Sequence, residues 1–122
     1  MIKRPTTDNL QDWITAMDAQ GMEMVDLRLA WEQLDLDEKP YLAATVQSYR
    51  ARNISASEEK LKSLALADTN YRDYLRALAL AHHRFLQAQV RYNSLCSAYE
   101  AKRTEHATQR AKINMGVFHE GR

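Results

Sequence analysis

Apolar side chains recur every three or four positions along most of this chain, the period of amphipathic helices rather than strands. Leu10, Trp13, Met17, Met24, Leu27, Trp31 and Leu34 form one heptad seam, missed only at Gln20. The spacing predicts a first helix over 8–36, opened by Thr7 or Asp8 and favoured by Asp12 in its first turn. Gly21, beside the miss, costs about 1 kcal/mol relative to Ala in a helix interior and marks a place for a kink or break.

Pro40 has no amide hydrogen and disfavours helix at Lys39, so residues 35–40 read as a turn. A second helix is predicted over 39–52, presenting Leu42, Val46 and Tyr49 and ending at Asn53 and Ile54. Ser55 with Glu58 has the spacing of a capping box, which would open a short third helix over 56–67 carrying Leu61, Leu64 and Ala65.

The longest pattern begins after Asp68 and Thr69, either of which can cap the next helix. Tyr71, Tyr74, Leu78, Ala81, Phe85, Ala88, Tyr92, Leu95 and Tyr99 hold an unbroken heptad, and no Gly or Pro falls between residues 70 and 115. A helix over 70–114, about 45 residues at 1.5 Å each, would be roughly 65–70 Å long. Ala81 and Ala88 alternate with Phe85 and Tyr92, an arrangement that lets a facing helix approach between rings. Beyond Tyr99 the seam positions become Lys102, His106 and Gln109, which predicts poor burial. Gly116 reads as the helix stop, with a fraying tail over 115–122.

The fold class that follows is all-α: an elongated helical bundle, or helical hairpin, with one long C-terminal helix of coiled-coil character, forming a single domain over 1–122. The first helix is expected antiparallel against the N-terminal half of the long helix, with the two shorter helices covering the remaining groove. The far half of the long helix, short of local neighbours, points to a homo-oligomer. Three Gly and two Pro agree with long helices. No apolar run reaches the roughly 18–20 residues that a membrane crossing requires, and the N-terminus lacks a signal-peptide pattern, so a soluble cytoplasmic protein with no membrane partner is expected. The lone Cys96 reads as a small core residue.

The net charge of +1 conceals polarity. Residues 1–38 carry three cations against nine carboxylates, and residues 39–122 carry fourteen cations against seven carboxylates. Arg84 and Arg91 stand seven apart on one flank of the long helix, Arg103 and Arg110 on the other, joined by Lys102 and Lys112. These six are the candidates for a phosphate backbone or an acidic protein face. Asp26, Glu32, Asp35 and Asp37 are the candidates for docking a basic protein surface.

Catalytic patterns are missing: the chain has no Gly-rich phosphate loop, no G-x-S-x-G elbow and no H-E-x-x-H. Adjacent His82 and His83 diverge by about 100° on a helix and have no second cysteine to join them. Glu32, Asp35, Asp37 and Glu38 lack the interleaved glycine of a calcium loop. No catalytic residue, metal, cofactor or small-molecule substrate is therefore expected.

Trp31 and Lys39, then Tyr71, Tyr74, Leu78 and Ala81, and above all the segment VRYNSLCSAYEAKRTEHATQRA carry a family resemblance. In that segment Arg91 and Tyr92 precede an E-A-x-R-T block (Glu100, Ala101, Arg103, Thr104) and an A-T-x-R-A block (Ala107, Thr108, Arg110, Ala111). Over about residues 25–112 the chain resembles small helical proteins of unassigned function encoded by bacteriophages and prophages near recombination or early genes. The resemblance implies a phage accessory protein and no particular activity or target; with the charge layout, the function expected is a non-enzymatic helical binding module in the host cytoplasm, with phage or host protein as partner and DNA as a further candidate, in recombination or replication. The alternative is a phage inhibitor of a host defence system, acting by protein binding through the acidic first helix.

Overall fold

The computed structural model describes residues 4–53 and 55–120, with side chains through Gly116. Every regular element among them is helical: α1 (Leu10–Arg52), α2 (Glu58–Ala67) and α3 (Thr69–Glu120). The all-α expectation holds, and the bundle is built on contacts of α1 with α3.

The local boundaries differ from the sequence pattern in informative ways. Asn9, rather than Thr7 or Asp8, opens α1: its side-chain oxygen accepts from the Gln11 amide at 3.0 Å. Thr7 instead donates its hydroxyl to Asp12 at 2.8 Å, and its carbonyl accepts from the Trp13 indole at 2.9 Å. Helix α1 runs unbroken through Gly21 and through the 35–40 segment, so the predicted helices 8–36 and 39–52 are one element. Ser57, not Ser55, caps α2 by accepting from the Lys60 amide at 3.2 Å, while Glu58 pairs with Arg50 at the end of α1. Helix α3 continues past Gly116, a residue with ordinary helical φ and no close neighbours, so the expected stop there does not occur. Ile54 and the last residues of the expected frayed tail, Gly121 and Arg122, lie outside the described residues, as do Met1 to Lys3.

The chain forms two compact units, Met1–Met24 with Ala88–Arg122, and Val25–Gln87. In the first, Gly21 faces Tyr92 and Asp8 pairs with Lys102, so the two helices run antiparallel. Trp13, Ala88 and Leu95 are buried there. Gln20, the miss in the heptad, is buried as well, at 3% exposure, so the seam passes through it without a gap. A Cβ on Gly21 would lie 3.3 Å from the Tyr92 ring, and the missing side chain is what admits that ring.

In the second unit, Trp31 stacks on His82 and Phe85, and Tyr49 donates to Asp68, again antiparallel. The expected antiparallel packing of the first predicted helix on the N-terminal half of the long helix is thus found, from Leu34 beside Tyr74 and Trp31 beside His82 and Phe85 to Gly21 beside Tyr92. An interior proline removes a helix hydrogen bond and costs about 3 kcal/mol. Around Pro40 that cost is offset by contacts the sequence does not display. Tyr41 stacks on Tyr71 and Tyr74, the Tyr74 hydroxyl donates to the Leu34 carbonyl, and the Tyr71 hydroxyl donates to Glu38 at 3.4 Å. Leu61 and Ala65 of α2 complete this core with Tyr71 and Phe85.

Asp68 joins α2 to α3. Its amide donates to the Ala65 carbonyl at 3.1 Å, and its carboxylate accepts from the Tyr71 amide at 3.0 Å and the Tyr49 hydroxyl at 2.8 Å. These bonds hold its carboxyl below the ordinary value, the Tyr71 amide contributing most.

Candidate functional site

The six cations of the sequence analysis meet different fates. Arg84, in the Val25–Gln87 unit, is exposed. Arg91, in the other unit, is half-buried, and its Nε is buried with no acceptor among the described residues. Arg91, Arg4, Gln20, Ser94 and Leu95 line a cavity of about 170 Å³, and the Nε2 of Gln20 is likewise buried with no partner among the described residues. Arg4 also lies over the Trp13 ring, 5.6 Å from its centre.

Lys102 is half-buried and held by Asp8, with Glu105 at 3.7 Å. The pairing raises the lysine above its ordinary value and lowers Asp8, each chiefly through their mutual hydrogen bond. Lys102 thus has a carboxylate partner within its own unit, through an Asp8 side chain that is itself exposed. Arg103 stands 3.6 Å from Glu100 but remains exposed, a pair of little energetic weight. Arg110 and Lys112 are exposed and make no ion pair with the described residues. Arg103 and Arg110 share a flank of α3, as their spacing implies.

Burial along α3 ends abruptly. Lys102 and His106 are half-buried, so the seam extends further than its polar character predicts, and from Ala107 to Gly116 every side chain is exposed. Ile113 and Met115 are among these, at 63% and 62%. The result is a helical segment that presents cations and apolar groups together.

The acidic candidates all lie on α1 in the Val25–Gln87 unit. Glu32 is half-buried and bonded to Arg28 at 2.8 Å, Asp37 accepts from Gln33 at 3.0 Å, and Asp26 and Asp35 are exposed. Burial of the Tyr74 hydroxyl, with Asp37, Glu38 and Asp35 nearby, keeps its proton on beyond the ordinary tyrosine range. His82 is occupied with Trp31, and His83 is exposed. No group of three His, Cys, Asp or Glu among the described residues is arranged to hold a metal ion.

Sequence reasoning missed one feature of α1. Val25, Leu29 and Leu36 are exposed, at 49%, 58% and 73%. Just beyond them a mostly apolar groove of about 440 Å³ lies between α1 and α2, floored by Leu42, Ala43 and Val46. The signal was present as a second heptad, Leu29, Leu36 and Ala43, hidden by the stronger seam on the other face.

No described helix is long and apolar enough to cross a membrane. Comparison with family models, curated proteins and solved structures finds no match to this chain.

Proposed function

We propose that the chain is a non-enzymatic binding module that engages a macromolecular partner through the uncovered end of α3, with phage DNA recombination or replication as its setting. The supporting observation is the segment from Ala107 to Gly116, helical throughout and exposed on every side. Its Arg110 and Lys112 make no ion pair with the described residues, and Arg103 lies on the same flank as Arg110. A cationic helix end of this kind can follow a phosphate backbone, gaining affinity from counterion release without reading sequence. Ile113 and Met115 give the same segment apolar contact area for a protein. The phage setting rests on the resemblance carried by residues 91–111.

Titration of labelled single- and double-stranded DNA with the full chain at two ionic strengths tests the DNA version. The expected result is binding that weakens steeply with salt. Changing Arg110 and Lys112 together to Ala should reduce the salt slope by about 2, one for each lost phosphate contact. No complex at low salt would remove DNA from the reading and leave protein as the partner.

A further inference from the structure

The unit of Met1–Met24 with Ala88–Arg122 holds a cationic cavity that the pairing of its helices does not require. Arg4, Gln20, Arg91, Ser94 and Leu95 line it, and all five belong to that unit. Gln20 is 3% exposed, yet its Nε2 finds no partner among the described residues, and neither does the buried Nε of Arg91. A buried donor left unmet costs more than a made bond returns, and most of all when the group is charged. A polar residue inside a heptad seam ordinarily fixes register through a partner on the facing helix, and the Gln20 amide nitrogen has none. Arg4 and Arg91 bring two positive charges, neither makes an ion pair with the described residues, and no acid lines the cavity. Arg4 lies over the face of Trp13, a contact that consumes none of its N–H donors.

We propose that this cavity is a site for a phosphate-sized oxyanion, held by Arg4 and Arg91 with Gln20 and Ser94 as neutral donors. Size and charge both select that class. A volume of about 170 Å³ exceeds the roughly 30 Å³ share of one water and falls short of the roughly 300–1,000 Å³ of pockets for organic ligands. Two guanidiniums without a carboxylate match a phosphate, which carries about −1.5 to −2 charges near pH 7 and presents strong acceptor oxygens on every side. The planar fork of arginine suits pairs of such oxygens. Water would satisfy the donors and leave the two charges unbalanced. The heptad miss at Gln20 is on this reading a packing position given over to a ligand. The phosphate is either the free inorganic ion or a phosphoryl group of a nucleic-acid backbone, and the same donors serve both. Arg103, Arg110 and Lys112 take no part, so the site stands apart from the end of α3.

Isothermal titration of the full chain with inorganic phosphate, at an ionic strength held constant with sodium chloride, tests this. Saturable binding of one phosphate per chain is expected. Arg91→Gln should weaken it about tenfold or more, and so should Arg4→Gln, a change at an exposed residue that leaves the fold intact. Gln20→Met should weaken it several-fold in a chain that still folds. Arg110→Ala with Lys112→Ala should leave it unchanged, which scores this site separately from the α3 reading. Absence of saturable binding overturns the proposal, as does binding indifferent to both arginine changes or binding lost with the α3 pair. Labelled DNA then separates the two sources. Displacement of DNA by phosphate, with a weaker DNA complex for Arg91→Gln, assigns the site to a backbone phosphoryl group; a DNA response blind to both assigns it to the free ion. Either result upholds the site.

Discussion

The two units use one heptad frame and two kinds of packing. In Val25–Gln87 the seam is aromatic: Trp31 against His82 and Phe85, Tyr41 against Tyr71 and Tyr74, with hydroxyls fixed to Leu34, Glu38 and Asp68. In the unit of Met1–Met24 with Ala88–Arg122 the seam is sparer. It relies on Trp13, on close approach of Tyr92 to Gly21 and on the Asp8–Lys102 pair, and it contains donors of Gln20 and Arg91 with no acceptor among the described residues. A heptad therefore states where two helices touch, while the polar chemistry at the seam decides how firmly a single arrangement is specified.

Truncation at the centres of the two units is the strongest way to probe this contrast. Trp13→Ala should cost about 3–5 kcal/mol and Leu61→Ala about 2–5 kcal/mol in urea denaturation, the first also losing an indole hydrogen bond. Similar losses at both would show that the sparer seam still supports its unit; a negligible loss at Trp13 would show that it does not. Gln20→Met should act in the opposite direction, raising stability by about 1–2 kcal/mol as an unpaired buried amide is replaced by an apolar chain of similar length. No gain would mean that the amide has a partner.

The glycines sharpen the same comparison. Gly116→Ala, with nothing within 4 Å, should deliver most of the helix-propensity gain of about 1 kcal/mol to the end of α3, read by circular dichroism. Gly21→Ala should deliver less, because the Tyr92 ring at 3.3 Å must move aside. Equal gains would show that the ring is not fixed.

The aromatic unit also has the clearer pH signature. Tyr49, Tyr71 and Tyr74 keep their protons beyond the ordinary value of 10.0, Tyr49 chiefly through Asp68 and the other two chiefly through burial. The folded chain thus holds those protons more tightly than the unfolded one, so their contribution is fully present below pH 10.0 and fades as pH rises through the folded values. Asp68 and Asp8 behave oppositely: their contribution is present above 3.8 and fades as pH falls through the depressed values. Tyrosinate absorbance should therefore appear late in an alkaline titration, together with loss of helicity. The smallest effect is expected at Arg110→Ala, within about 0.5 kcal/mol of the parent in stability, because its side chain is exposed and makes no ion pair with the described residues.

Much of the fold was legible because a heptad is a local pattern. The seam from Tyr71 to Tyr99 and the helical class needed only side-chain spacing. Continuity at Pro40 was not legible, since it depends on Tyr71 and Tyr74, which are distant in sequence and reach Glu38 and Leu34 only after folding. The caps at Asn9 and Ser57 were missed because several neighbouring Ser, Thr, Asn and Asp residues are equally good acceptors. Gln20 read as a gap because polarity was taken for exposure. In the candidate site the cations were visible, but the pairing of Lys102 with Asp8 joins opposite ends of the sequence, and no spacing rule reveals it.

Asp68 binds the end of α2, the first turn of α3 and a tyrosine of α1 with one residue. A joint so fully subscribed has no slack, so splicing a reporter or a flexible linker at this position should uncouple the short helix and loosen its whole unit. At Gly116, where an added side chain would meet nothing within 4 Å, the same insertion should leave both helix pairings intact and instead obstruct whatever docks on the end of α3.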